Sequence, residues 1–95
     1  MTTVTAKFYA TLRNVVGKGT MEITLNQEST ILRLIEEIDK RSKRSFLKEI
    51  LNERGEIKAY YKVIVNGRDI DFLNKLNTKL KDKDLILFFP PVGGG

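Results

Sequence analysis

The sequence predicts an α+β domain: one sheet of about four to five strands with helices on one face. Three observations predict it. Apolar residues alternate with polar ones at a period of two near both ends of the chain. They recur at three- and four-residue steps only in the middle. The 95 residues, 41% of them apolar, suffice for one small core and leave no material for a second domain.

Val4, Ala6, Phe8 and Ala10 alternate with Thr5, Lys7 and Tyr9, the pattern of a strand. Thr11 to Val16 reads as a helical turn, and Gly17-Lys18-Gly19 breaks the chain. Met21, Ile23 and Leu25 alternate with Glu22 and Thr24, a second strand close enough to the first for antiparallel pairing. Ile31, Leu34, Ile35 and Ile38 then mark one face of a helix, with Thr30 or Ser29 as its cap and Lys40 and Arg41 at its end. Phe46, Leu47, Ile50 and Leu51 predict a shorter helix that Gly55 stops. Tyr61, Val63 and Val65 form a strand ending at the turn Asn66-Gly67. Between Asp71 and Leu80 the pattern is mixed, with Phe72, Leu73, Leu76 and Leu80 expected to face the core from a loop or short helix. Leu85 to Phe89 is apolar at every position, which predicts a central strand and the most buried one.

Composition excludes several function classes. With neither cysteine nor histidine, the chain has no Ser-His or Cys-His catalytic pair and none of the usual zinc or iron ligands. Seventeen basic residues against twelve acidic ones give a net charge of +5, compatible with an acidic partner. The longest wholly apolar run, Leu85 to Phe89, is far short of the roughly 20 residues that span a bilayer, and Met1 to Lys7 has no apolar signal core. The expectation is a soluble, cytoplasmic protein with no membrane partner.

Residues 1–89 read as the folded domain and 90–95 as a flexible tail, Pro90-Pro91-Val92-Gly93-Gly94-Gly95. Two prolines favour an extended base and donate no ladder hydrogen bonds. Three glycines then supply a thin end without side chains. Fully stretched, six residues reach roughly 20 Å at about 3.3–3.6 Å each. Two readings compete: a frayed terminus, or an end shaped to enter a narrow tunnel in another protein with its carboxylate as the reacting group. The second is chemistry done to the chain, which needs no histidine or cysteine.

Asn66-Gly67-Arg68-Asp69-Ile70, Phe72-Leu73, Leu76-Asn77-Thr78, Leu80-Lys81-Asp82, Asp84 and Phe89-Pro90-Pro91-Val92-Gly93-Gly94-Gly95 resemble the C-terminal half of the molybdopterin-synthase small subunit family, and most nearly its archaeal ubiquitin-like small modifiers. Lys7-Phe8-Tyr9-Ala10 with Leu12-Arg13 is similar to that family's opening strand and turn. The resemblance implies a β-grasp (ubiquitin-like) fold with a mixed sheet. It also implies a carrier substrate in place of an enzyme. An E1-like activating enzyme, using ATP and magnesium that the carrier itself does not retain, adenylates Gly95, and sulfur converts the end to a thiocarboxylate. The sulfur goes to molybdopterin at the synthase large subunit or, in relatives, to tRNA. Alternatively the activated end forms an isopeptide bond with lysines of target proteins. Gly93 and Gly94 are the tail positions needed for tunnel entry. Gly93 stands where the family more often has Ser or Ala, and Lys83 stands where it has a glycine between two aspartates, a position where positive φ disfavours lysine.

Phe88 and Phe89, adjacent in a strand, point to opposite faces: one enters the core and the other faces outward, with Tyr9 or Tyr61. Together with Pro90, Pro91 and Val92 they form the expected docking region for the activating enzyme or synthase, unless a loop or the tail covers it. Lys40, Arg41, Lys43, Arg44 and Lys48 form an uninterrupted basic cluster. It reads as a solvated helix end, the alternative being a nucleic-acid-binding module. Phe46, its only aromatic, fits the core pattern. Asp82 and Asp84 read as a polar turn in preference to a metal pair.

Overall fold

The computed structural model describes residues 1–91. Five strands form one mixed sheet: β1 (Thr2–Phe8), β2 (Thr20–Leu25), β3 (Lys62–Val65), β4 (Arg68–Asp69) and β5 (Leu85–Phe89), in the order β2-β1-β5-β3-β4. β1 and β2 are antiparallel, pairing Val4 with Ile23, as their closeness in sequence predicts. β5 lies between β1, to which it is parallel with Phe8 beside Phe88, and β3, to which it is antiparallel with Val63 beside Phe88. The strand expected to be central is therefore central. It is not the most buried: Ile86 and Phe88 are enclosed, but Leu85 is 36% exposed and Leu87 and Phe89 are half-buried. Helices cover only one face of the sheet, so an all-apolar strand presents every second residue to the other.

The helices are α1 (Thr11–Val16), α2 (Ile31–Arg41) and α3 (Phe46–Ile50). α2 buries the stripe Ile31, Leu34, Ile35 and Ile38, and its cap is Thr30, whose hydroxyl accepts from Arg33 N–H at 3.3 Å. α1 ends at Gly17, whose φ of 95° lies in the left-handed region open to glycine. α3 is joined to the sheet by an aromatic cluster. Phe46 meets Phe8 and Phe88 edge-on at 5.5 and 5.2 Å, and Phe8 and Phe88 stack at 5.5 Å.

Four further features depart from the expectations or add to them. Gly55 does not stop α3, which already gives way to extended backbone at Leu51; Leu51 bridges to Ile57, and Gly55 turns the intervening loop at φ 76°. Arg68 and Asp69 are a short strand, because Asn66 and Gly67 (φ 50° and 87°) make a tight hairpin that places them opposite Val65 and Ile64. Phe72 is 87% exposed; it lies on a single 3₁₀ turn (Ile70–Phe72) that spends its inward position on Ile70. Tyr61 shares the parity of Val63 and points to the helix side, where its hydroxyl donates to Glu49 Oε2 at 2.7 Å. Desolvation, then that hydrogen bond and the Glu49 charge, push its pKa up to about 12.

Candidate functional site at the carboxyl end of the central strand

Pro90 and Pro91 follow directly from a strand that is itself firmly held. β5 is hydrogen-bonded on both edges, Tyr9 N–H donates to the Phe88 carbonyl at 3.2 Å, and Pro90 is buried while Pro91 is exposed. The base of the tail is thus fixed in direction by the sheet. Val92, Gly93, Gly94 and Gly95 lie outside the described residues.

The aromatic pair divides as its parity requires. Phe88 is 1% exposed and belongs to the core cluster, so no partner can reach it and it drops out of the docking set. Phe89 lies on the open face, stacked on Tyr9 with ring centroids 4.5 Å apart and planes at 9°. Beside it, Leu87 stands between Lys7 of β1 and Ile64 of β3, and Leu85 follows along the strand. Tyr9, Ile64, Leu85, Leu87 and Phe89 together make an apolar strip on the uncovered face, bordered by Lys7 and Lys62. Ile64, Leu85 and Leu87 were not foreseen as surface residues. The signal was present in the apolar residues of both parities in Val63-Ile64-Val65, where Ile64 interrupts the alternation, and in Leu85 to Phe89, whose apolar run predicts burial on both faces.

Behind the strip, a polar clamp holds the start of β5. Asp84, 7% exposed, accepts from Asn66 Nδ2 at 2.7 Å and from Lys81 N–H at 2.8 Å, while Asn66 Oδ1 accepts from Leu85 N–H at 2.9 Å. Asp82 Oδ1 accepts from Thr3 N–H at 2.9 Å, and Lys83 N–H donates to the Thr3 carbonyl. Both aspartates are spent on the backbone and on Asn66, the arrangement of a polar turn. Lys83 adopts φ 70°, the left-handed conformation that a glycine would hold without strain. The basic run separates in space. Lys40 and Arg41 lie 3.7 and 3.4 Å from Glu37, and Lys48 follows Phe46 into α3, whereas Lys43 and Arg44 turn toward α1.

A mixed five-stranded sheet clasping its helices on one face, with a proline-glycine segment leaving the central strand, defines a β-grasp domain of the ubiquitin-like class. The chain belongs to the ThiS family, whose model matches residues 6–95. It is 33% identical over 89 residues to small archaeal modifier protein 3 of Haloferax volcanii, covering 94% of this chain and 95% of that one. It is 29% identical over 85 residues to a protein named as a sulfur carrier in Archaeoglobus fulgidus, covering 84% and 89%. Among solved structures it superimposes on small archaeal modifier protein 1 of Haloferax volcanii with a TM-score of 0.83 at 20% identity, covering 97% of this chain and all of that one, a likeness of fold. The family is one of small ubiquitin-like sulfur carriers and modifiers. Among the described residues, no helix is long and apolar enough to cross a membrane.

Proposed function

We propose that the chain carries sulfur on the carboxyl group of Gly95. A Gly95 carboxylate oxygen attacks the α-phosphorus of ATP on an E1-like enzyme, and pyrophosphate leaves as the α–β bond breaks. Magnesium offsets the phosphate charge. The carboxylate alone is a poor acyl donor because oxide is a poor leaving group; the mixed anhydride has AMP instead. A sulfur donor at the hydrosulfide level then adds to the acyl carbon and expels AMP, leaving a thiocarboxylate. Sulfur delivered from it serves molybdopterin formation at a synthase large subunit, or tRNA thiolation.

The observation that carries this reading is the anchorage of the segment. The central strand fixes the start of the segment, with Pro90 buried and Pro91 exposed directly after Phe89 of the Tyr9–Phe89 pair, and the family match runs through residue 95. On this reading the strip docks the activating enzyme while the glycines thread its tunnel, where any Cβ would meet the wall. The likeness to a protein named as a modifier favours a second outcome for the same activated end, attack by a lysine amine to form an isopeptide bond.

Incubation with an activating enzyme, ATP, magnesium and a sulfur donor, followed by intact mass, tests the reading. Exchange of one oxygen for one sulfur is expected. Deleting Gly94-Gly95, or appending one alanine after Gly95, abolishes the exchange and leaves the fold intact. Full activity of the alanine-extended chain would sink the tunnel argument. Glycine remnants on lysines of cellular proteins report the modifier outcome.

A further inference from the structure

The fold assembles a cationic site that no stretch of sequence contains. Lys43 N–H donates to the Val16 carbonyl at 3.2 Å and Arg44 N–H to the Val15 carbonyl at 3.0 Å, which brings both residues to the end of α1. The Lys43 stem crosses Gly17 so closely that a Cβ there would lie 2.9 Å from its Cγ. Arg13 approaches the same loop from the other side. Its Nε donates to the Phe8 carbonyl at 3.2 Å and would lie 3.5 Å from a Cβ placed on Gly19. Arg13, Asn14, Gly17, Lys18, Gly19 and Lys43 line an open cavity of about 480 Å³. Among the described residues, Arg13, Lys18, Lys43 and Arg44 have no carboxylate within ion-pair distance, whereas Lys40 and Arg41 are answered by Glu37.

We propose that Arg13, Lys18, Lys43 and Arg44 form a binding surface for the phosphate backbone of a nucleic acid, at the end of the sheet where β5 reaches Pro90. The lining favours phosphate over a protein partner. It offers cations, one amide and two glycines, with none of the aromatic or apolar anchors from which protein interfaces draw their affinity. Backbone binding needs only cations and the release of counterions. The absence of a stacking side chain in the lining makes the contact independent of base sequence. The position follows from the register. Arg13 bonds the carbonyl of Phe8, Gly19 O accepts from Phe8 N–H, and Phe8 lies beside Phe88 in parallel. The site and the Phe89–Pro90 end of β5 therefore share one end of the molecule.

Fluorescence anisotropy with a short single-stranded RNA tests this. Binding with Kd on the order of 10⁻⁴–10⁻⁶ M is expected, with a slope of log affinity against log salt of about −2 to −3 for up to four phosphate contacts. Lys43→Gln with Arg44→Gln should weaken binding about tenfold or more. Lys40→Gln with Arg41→Gln removes the same formal charge and should change it less than about twofold, because Glu37 already engages those groups. Thermal melts of both variants confirm that these exposed substitutions keep the fold. Deleting Gly94-Gly95 leaves RNA binding unchanged, so this inference and the carrier reading fail separately. Equal losses in the two double variants would reduce the effect to net charge and overturn the site. So would tighter binding of a polyglutamate of equal length.

Discussion

Lys83 and Asn66 both occupy left-handed backbone, at φ 70° and 50°, and they bear it differently. Asparagine tolerates that region and here turns both ends of its amide to use, on Asp84 and on Leu85. Lysine gains nothing from the conformation. Lys83→Gly should therefore raise stability by about 0.5–1 kcal/mol, the left-handed strain less glycine's extra chain entropy, measured as a rise in urea midpoint at constant slope. Asn66→Ala should lower it by about 1–3 kcal/mol, because Asp84 is left buried without its amide partner. A loss no larger than that of an exposed surface substitution would show that water replaces the amide without cost. In the sequence Asn66 is legible as part of the Asn66-Gly67 turn and Asp84 as part of a polar turn with Asp82. That they are each other's hydrogen-bond partners, eighteen positions apart, is not.

At the scale of elements, α3 has five residues and cannot stand alone. Its start is held from α2. Asp39 Oδ1 accepts from Leu47 N–H at 3.1 Å and from the Ser45 hydroxyl at 2.9 Å, and Ser45 in turn accepts from Lys48 N–H at 3.2 Å. The Leu47 hydrogen bond is the main reason the Asp39 carboxyl titrates below its usual range; partial desolvation pulls the other way, and Ser45 and Lys48 reinforce the lowering. A carboxyl with a depressed folded pKa contributes stability above its ordinary value, and that contribution disappears as pH falls through the folded one. Asp39→Ala should cost about 1 kcal/mol at neutral pH, as loss of a helix cap does. The gap between variant and parent should close as unfolding is repeated at pH values falling below the ordinary aspartate range. A gap independent of pH would mean that the carboxylate charge plays no part. The sequence showed α3 through the spacing of Phe46, Leu47 and Ile50, but not the carboxylate that anchors the start of α3 and its local Ser45 cap, because Asp39 comes from another helix.

For the whole molecule, the decisive feature is a sheet covered on one side. Its open face is polar along β2, with Thr20, Glu22 and Thr24 exposed, and apolar where β5, β3 and Tyr9 meet. Leu87→Asp places a charge in that strip. Because Leu87 is only half-buried, stability should fall by no more than about 1 kcal/mol. Activation by the E1-like enzyme should drop at least about tenfold if the strip is an interface hot spot. Unchanged activation kinetics would remove the strip from the docking surface. The cationic surface proposed at Arg13, Lys18, Lys43 and Arg44 shares no residue with this strip, so the two can be altered independently.

Strand and helix periods, a cap at Thr30 or Ser29, the Asn66-Gly67 turn and the centrality of Leu85–Phe89 were determined by the sequence alone, since each is carried by residues a few positions apart. Which face of β5 stays open, which basic residues remain without a carboxylate, and where Tyr61 points were decided only in the tertiary structure. These depend on which helix lands on which side of the sheet and which chain segments meet there. Local periodicity records that a residue is apolar or charged, but not what lies opposite it.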